Sequence, residues 1–472
     1  MALFGTDGIR EIFGQGVFTN IELRKLTLAT IKWLKNKKVT SKIILLGRDT
    51  RSSGIKIQKI LVDIFKKMGF YPLVVNVVPT QILSYFSKTI KPSLTIAITA
   101  SHNPAQYNGL KFINTRGLKI SEVEEKKIEK IYRNENADLI TNLTNLSSLK
   151  KKHLFHSTQY STRKLFNSYL ENSVEPLSIG KDTTNFKIVL DCANGATYKI
   201  APLAFKKAGY SNLLLINNSP DGSNINLDCG VVNVEKSIEY LQKKKVDFDF
   251  FILFDGDGDR VHIVDRTFKI YNGDTLLAIY AYYYKVIKQQ KLDKVVGTIM
   301  SNMGLEKFCK EIKVDFLRTA VGDRNVTLKV MKEKTFLGGE PSGHIVNLKI
   351  NSLGDGILNS LLFLKIVSCV PEILKLISLI YRPFKSYQLN IKIKEKIPLD
   401  SLPLFTKKIA HYNENKNLRV VVRYSGTENV LRVMIESDNE HKCIKIARQL
   451  RDLYNSEIER LLTSNYKKHK EL

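Results

Sequence analysis

The sequence predicts an α/β fold divided into several domains, and three observations carry that reading. Short apolar runs bounded by Gly, Asp and Asn recur along the chain, each followed by an amphipathic stretch with apolar residues at i, i+3 and i+4, the alternation expected of βαβ units around parallel sheets. A chain of 472 residues with 43% hydrophobic content exceeds what a single core serves, so three or four domains are expected. The last ninety or so residues change pattern, to two paired strands and a closing amphipathic helix.

Four of the apolar runs, 43–46, 94–98, 188–190 and 250–254, end in unusually polar loops: GRDTR (47–51), TASHNP (99–104), DCANGA (191–196) and DGDGDR (255–260). In open α/β sheets the ligand crevice lies at the carboxyl ends of strands, where helix N-termini offer unpaired N–H groups to anions, so these loops are expected to line one cleft. The Ser-, Thr-, Asn- and Lys-rich stretch 150–185 predicts a boundary near residue 155. A second is expected at the DGDGDR strand and a third at 381–386, where RPFKSYQ interrupts the pattern. The domains therefore read 1–155, 156–254, 255–382 and 383–472. The apolar stretch 356–381 is broken by Lys365, Pro371, Glu372 and Lys375, too soon for a span of about 20 apolar residues, and reads as buried helices. Strands are expected at 418–423 and 430–436 around a YSGTEN loop, and a helix over 441–462.

The formal charge of +28 admits nucleic acid, an anionic membrane surface or an anionic substrate. The lysine clusters (35–38, 150–152, 243–245, 467–470) are scattered and not interleaved with aromatics as a strand-tracking groove would be, which disfavours nucleic acid. Five widely spaced cysteines without a CxxC spell neither a disulfide framework nor a zinc site and fit a reducing compartment. With Asp7 and Arg10 so early, the N-terminus does not read as a secretory signal, and a cytoplasmic location without membrane attachment is expected.

DGDGDR places Asp255, Asp257 and Asp259 at alternate positions directly after an apolar strand, where they converge and call for a hard cation. An EF-hand would need Gly at the sixth position and Glu at the twelfth. Arg260 and Arg266 stand there, so magnesium with an outside phosphate ligand fits better than calcium, and Arg260 complements such a phosphate. TASHNP presents Ser101 at a strand end, with Pro104 and Asn108-Gly109 expected to keep the following backbone tightly turned. Lacking GxSxG, and with His102 directly adjacent, Ser101 does not suit acyl transfer. Joined to a magnesium cluster it suits phosphoryl transfer, with Lys111 assisting.

GGEPSGH (338–344) offers Glu340, Ser342 and His344 to sugar hydroxyls, unless it is a helix start capped by Ser342. RYSGTENVLR (423–432) offers Arg423, Ser425, Thr427, Arg432 and the backbone of Gly426, the inventory of an anion clamp. FGTDGIR (4–10), with Arg10, and GRDTR also read as salt-bridged turns.

Taken together and in order, FGTDGIR, TASHNPAQYNGLK, DGDGDR, GGEPSGH and RYSGTENVLRVM resemble the α-D-phosphohexomutase superfamily over nearly the whole chain. DCANGATY, DGSNIN, TIMSNMGLE and RTAVGDR look like the branch acting on glucosamine phosphates. The resemblance implies three related α/β domains with mixed sheets and a smaller C-terminal α+β domain of the TATA-box-binding-like type around a central cleft. It implies that Ser101 is carried as phosphoserine, that its phosphate and the three aspartates bind one Mg2+, that Glu340, Ser342 and His344 hold the sugar, and that the 423–432 loop grips the non-reacting phosphate. Glucose or glucosamine 1,6-bisphosphate would serve as activator and intermediate, a phosphosugar is the expected partner, and a homodimer is compatible. His102 and Lys111 both match positions proposed for the general acid/base, and the sequence does not choose between them. Pro341 and Asn429 depart from the branch pattern, which leaves a phosphomannomutase or phosphoglucomutase, and an inactive basic protein of the same fold, as alternatives.

Overall fold

The computed structural model describes residues 3–5, 7–134, 161–179, 185–425 and 429–468, with side chains to residue 461. The boundary expected near residue 155 lies outside them. The first sheet is built from β1 (Ile9–Ile12), β2 (Ile43–Arg48), β3 (Tyr71–Val77), β4 (Leu94–Ile98) and β5 (Tyr107–Ile113), in the order β1-β5-β4-β2-β3. The second holds β6 (Ile188–Asp191), β7 (Leu213–Ile216), β8 (Phe250–Phe254), β9 (Val261–Asp265) and β10 (Ile270–Tyr271), ordered β10-β9-β8-β6-β7. The third holds β11 (Lys294–Thr298), β12 (Asp315–Thr319), β13 (Leu337–Gly339), β14 (Ile345–Asn347) and β15 (Ser352–Leu353), ordered β12-β11-β13-β14-β15.

One plan underlies all three. Three parallel strands are followed by a hairpin to an antiparallel fourth, with a further antiparallel edge strand beyond it. The hairpin loop after the third parallel strand is the serine loop in the first sheet (β4 to β5), the aspartate loop in the second (β8 to β9) and the GGEPSGH turn in the third (β13 to β14). Three motifs far apart in sequence thus occupy one topological position. The central strands β4 and β8 are buried on both faces, as their unbroken apolar runs LTIAI and FFILF require.

Two expectations are corrected here. A boundary between residues 254 and 255 falls inside the β8–β9 hairpin, because the aspartate loop turns the chain back into the same sheet, which continues to Tyr271. Asn108-Gly109 is not a turn. It lies in β5, where Gly109 faces Arg10 of β1 and an added Cβ would sit 2.3 Å from the Thr99 carbonyl, so the glycine serves close strand approach.

The apolar stretch 356–381 forms two helices, Gly356–Cys369 and Ile373–Ile380, parted at Pro371. The first is buried nearly all round, its Phe363 ring 5.4 Å from Phe250 and 5.6 Å from Tyr271 of the second sheet. One apolar core runs from the first sheet (Leu45, Ala97) through the second (Leu190, Phe254) to the third (Val295, Leu337). Among the described residues no helix is long and apolar enough to cross a membrane.

A fourth, antiparallel sheet of β16 (Lys385–Lys392), β17 (Leu418–Tyr424) and β18 (Val430–Ser437), ordered β16-β18-β17, packs with helices Pro403–Asn413 and Glu440–Lys468 around a core of its own. Polar contacts seat it on the third domain. Arg419 Nη1 bonds the Ser301 carbonyl (2.8 Å) and Glu436 Oε2 (2.9 Å), and Glu436 also accepts the Met303 N–H (3.2 Å).

Candidate active site

Ser101 is fully buried at the end of β4 and has a left-handed backbone, φ +50°. A non-glycine residue held there stores about 1–3 kcal/mol and persists only where its surroundings over-determine it. They do. Its N–H bonds Thr99 Oγ1 (2.9 Å), and its carbonyl accepts from Arg51 Nη2 and Asn226 Nδ2, both at 2.9 Å. Arg51, itself fully buried, also bonds the Pro104 carbonyl (2.6 Å), the Asn103 carbonyl (2.8 Å) and Asp49 Oδ2 (2.9 Å). GRDTR is therefore no mere surface turn but the cradle of the serine loop.

The Ser101 hydroxyl donates to Asp255 Oδ2 at 2.7 Å, and His102 Nδ1 lies 3.5 Å from Ser101 Oγ. Asp255, Asp257 and Asp259 are all buried, and each offers an oxygen within 4.8 Å of the others. Lys111 reaches them from β5, with Nζ 2.8 Å from Asp257 Oδ2 and 3.2 Å from Asp259 Oδ2. Thr80 Oγ1 adds a 2.6 Å bond to Asp257 Oδ2. The second oxygens of Asp257 and Asp259 remain buried without a hydrogen-bond partner. Such orphaned acceptors, in a cluster of three carboxylates, are what a hard divalent cation satisfies, so the residues present fit one. Arg260 borders the cluster, its N–H on Asp255 Oδ1 (3.2 Å) and its Nε 3.8 Å from Asp259.

The charges are displaced accordingly. Burial, then Asp259 and Asp257, push Asp255 well above the usual carboxylate range. Burial acts the same way on Asp257, but Lys111 and Thr80 outweigh it and hold that carboxyl below the range. Burial alone would lower Lys111; Asp257, Asp7 and Asp259 overcome it and keep the ammonium charged far past its ordinary value. Burial, Arg260 and Arg10 drive His102 down to about 3, leaving a neutral imidazole.

The GGEPSGH motif is a β-hairpin rather than a helix start. Glu340 N–H donates to the His344 carbonyl (2.9 Å), and Gly343, φ +92°, has no room for a side chain because its Cβ position lies 2.4 Å from the Val261 carbonyl. The Val261 N–H donates to the Gly343 carbonyl (3.1 Å), which fastens this hairpin to the residue following Arg260. Pro341 gives up a donor but anchors through its carbonyl, which accepts from His262 Nε2 and the Gly273 N–H, both at 3.2 Å. Glu340 is buried with Oε1 on the Gly322 N–H (2.9 Å), and its charge reaches Arg260. His344 is buried with Nε2 unpartnered among the described residues, and Ser342 is half-buried.

Arg423 and Arg432 are direct cross-strand partners on β17 and β18. Burial and then Arg432 lower the Arg423 guanidinium, the signature of two like charges facing each other. Arg432 Nη2 lies 3.5 Å from Ser425 Oγ. Gly426 and Thr427 lie outside the described residues. Arg10 donates to Asn103 Oδ1 (3.0 Å) and pairs with Asp7.

The structure thus brings Ser101, His102, Lys111, the three aspartates, Arg260 and the sugar-loop residues onto adjoining hairpins. Sequence reasoning missed Asp7, Thr80 and Asn226 and gave Arg51 and Asp49 no part. The one available signal was that GRDTR and DGSNIN are polar loops after apolar runs.

Models of the phosphoglucomutase/phosphomannomutase family match in order: alpha/beta/alpha domain I over residues 1–138, domain II over 166–269, domain III over 272–384 and the C-terminal domain over 389–453. The phosphoglucosamine mutase of Campylobacter hominis is 34% identical over 443 residues, 93% of this chain and 96% of that one. A phosphoglucomutase/phosphomannomutase family protein from Burkholderia thailandensis superposes with a TM-score of 0.77 at 20% identity, covering 97% of this chain and 98% of that one. The Aspergillus fumigatus N-acetylphosphoglucosamine mutase, solved with GlcNAc-6P and magnesium, gives 0.66 at 16% identity, covering 97% and 96%. With four consecutive domain models matched and near-complete alignment to curated relatives, the chain belongs to the phosphoglucosamine mutase family, within the phosphoglucomutase/phosphomannomutase enzymes.

Proposed function

We propose that this enzyme interconverts glucosamine 6-phosphate and glucosamine 1-phosphate by passing a phosphoryl group through Ser101 and a 1,6-bisphosphate. The observation that carries the reading is the 2.7 Å contact between the Ser101 hydroxyl and Asp255 in a cluster of three buried carboxylates. A strained, fully held serine beside a cation site is a phosphoryl acceptor and donor, not a turn residue.

Phosphoserine 101 gives its phosphoryl group to the O1 hydroxyl of glucosamine 6-phosphate: the bond from phosphorus to the serine oxygen breaks as the bond to O1 forms. The 1,6-bisphosphate turns over in the cleft and returns its 6-phosphoryl group to Ser101, releasing glucosamine 1-phosphate. Asp255, Asp257 and Asp259, with the Ser101 phosphate, would hold magnesium, which when bound would supply charge neutralisation to the transferring group. Lys111, kept as an ammonium, adds positive charge at the same point. A loose transition state asks little of a base, so neutral His102, beside Ser101 Oγ, takes the part of proton acceptor. Glu340, Ser342 and His344 hold the sugar hydroxyls, and Arg423 and Arg432, with the 425–427 loop, hold the phosphate that is not reacting. Holding one end while the other reacts makes the transfer effectively intramolecular. Glucose or glucosamine 1,6-bisphosphate charges Ser101 at the start, and five free cysteines fit work in the cytoplasm.

The test is magnesium-dependent turnover of glucosamine 6-phosphate by wild type and Ser101→Ala, beside mannose 6-phosphate and glucose 6-phosphate. The expected result is preference for the amino sugar and loss of turnover in the variant. Full activity in Ser101→Ala would overturn the mechanism, and preference for mannose or glucose phosphates would overturn the substrate.

A further inference from the structure

The chain between β5 and the helix Glu122–Asn134 is reversed by a tight turn. Asn114 Oδ1 accepts from the Arg116 N–H (2.8 Å) and the Leu118 N–H (3.3 Å), and Gly117 takes φ +73°. The turn lays Lys119 back alongside Ile113, at the rim of the catalytic cluster but outside every motif discussed above.

Lys119 Nζ bonds Asp7 Oδ1 and, at 2.5 Å, Asp323 Oδ2. All three side chains are largely shielded, between 11% and 21% exposed. Asp7 is shared: its other oxygen lies 3.1 Å from Lys111 Nζ and also takes Arg10. Asp323 opens the helix Asp323–Lys332 of the third domain, one residue after Gly322, whose N–H holds Glu340. An unbroken line of ion pairs therefore joins the aspartate loop, Lys111, Asp7, Lys119 and Asp323. The next residue, Arg324, adds a bidentate bond to Glu125 of the first domain, with Nη1 to Oε2 at 2.8 Å.

We infer that Lys119 is a positioning residue that joins the phosphoryl-transfer site to the sugar-holding loop, by bridging Asp7 of the first domain to Asp323 of the third. Without its ammonium, Asp7 and Asp323 face each other as like charges, so the 322–324 loop withdraws and takes the Gly322 N–H away from Glu340. At the other end Asp7, having lost a cation, draws Lys111 off Asp257 and Asp259. Both shifts fall on the transfer geometry, where a displacement of about 1 Å costs about 100-fold in rate.

The inference rests on the mutase reading, and its test separates the two. Lys119→Met, Asp323→Asn and the double variant are assayed for glucosamine 6-phosphate turnover, with thermal melting and magnesium affinity by calorimetry alongside. Lys119→Met is expected to lose about 100-fold in kcat with magnesium affinity no weaker than wild type, since Lys111 withdrawing from Asp257 and Asp259 frees cation ligands instead of removing them. Lys119→Arg, which can still span both carboxylates, is expected to recover most of the loss, and the double variant to be no worse than Lys119→Met. A kcat within twofold of wild type for Lys119→Met, additive losses in the double variant, or a loss that Arg does not rescue and that follows the melting temperature would overturn the bridge. Those outcomes leave the mutase reading standing so long as wild type turns over and Ser101→Ala does not.

Discussion

Arg51 carries the most exacting consequence of the site's architecture. Replacing it with Met removes the four bonds its guanidinium makes, to Asp49, Ser101, Asn103 and Pro104. Asp49 keeps Thr99 Oγ1 (2.7 Å) and a backbone N–H but loses the guanidinium bonded to its carboxylate, at a site 1% exposed. Breaking a buried ion pair costs about 3–5 kcal/mol, while the three carbonyls each keep a second donor, Asn226 Nδ2 for Ser101 and Asn103 and the Tyr107 N–H for Pro104, so the first domain should lose about 3–5 kcal/mol, a large share of a domain's usual 5–15. Ser101 also loses one of the two donors that hold its carbonyl in the left-handed conformation. The readout is favourable because Trp33, the chain's single tryptophan, is buried in the helix Asn20–Asn36 against the first sheet's core. Its fluorescence in a urea titration follows that domain alone. The expected result is a clearly lower midpoint, with kcat reduced about 100-fold at temperatures where the variant stays folded, and Arg51→Lys in between. An unshifted Trp33 transition with kcat within about threefold of wild type would refute the claim that Arg51 builds the serine loop.

Three further outcomes follow from the electrostatics. Because burial and its two neighbours push Asp255 far up, a proton occupies the cation-free cluster. Magnesium binding should therefore release protons and weaken as pH falls, measured by calorimetry in buffers of differing ionisation heat; pH-independent binding without proton release would contradict this. Arg423→Met should raise KM for the phosphosugar roughly tenfold to hundredfold with little change in melting temperature, since a lost charge-assisted bond is offset in the free protein by relief of the facing arginines; a fall in kcat at unchanged KM would tell against a phosphate grip. Burial raises Asp274 to about 7 and Asp355 to about 6. Folded pKa values above the unfolded one give stability that is complete below about pH 4 and lost as pH rises through 6 to 7, so melting temperature should fall across that window and flatten in Asp274→Asn.

What the sequence made legible was local. Ser101 and the three aspartates each stand directly after an unbroken apolar strand, and strand end plus polar loop is a pattern that needs no third dimension. The same holds for β17 and β18 and for the buried helices around Pro371. Lys111 was legible only as an assistant near Ser101 and not as a partner of Asp257 and Asp259, because the Asn108-Gly109 segment before it was read as a turn when it is a strand whose glycine admits a close neighbour. Asp7, Thr80, Arg51, Asn226 and Lys119 act through site partners 50 to 204 residues away, and no spacing rule reports such pairings. The equivalence of the three hairpin loops was equally hidden, since shared topology requires no shared residues: TASHNP, DGDGDR and EPSGH have little in common beyond their place after the third parallel strand.

The central claim is that Ser101 carries the phosphoryl group in turnover. Its most direct test is to charge the protein with isotopically labelled glucose 1,6-bisphosphate, map the label by peptide mass spectrometry, and chase with unlabelled glucosamine 6-phosphate. The account predicts label on the peptide containing Ser101 that passes to the sugar during the chase. Label on another residue, or label on Ser101 that stays while product forms, would contradict it.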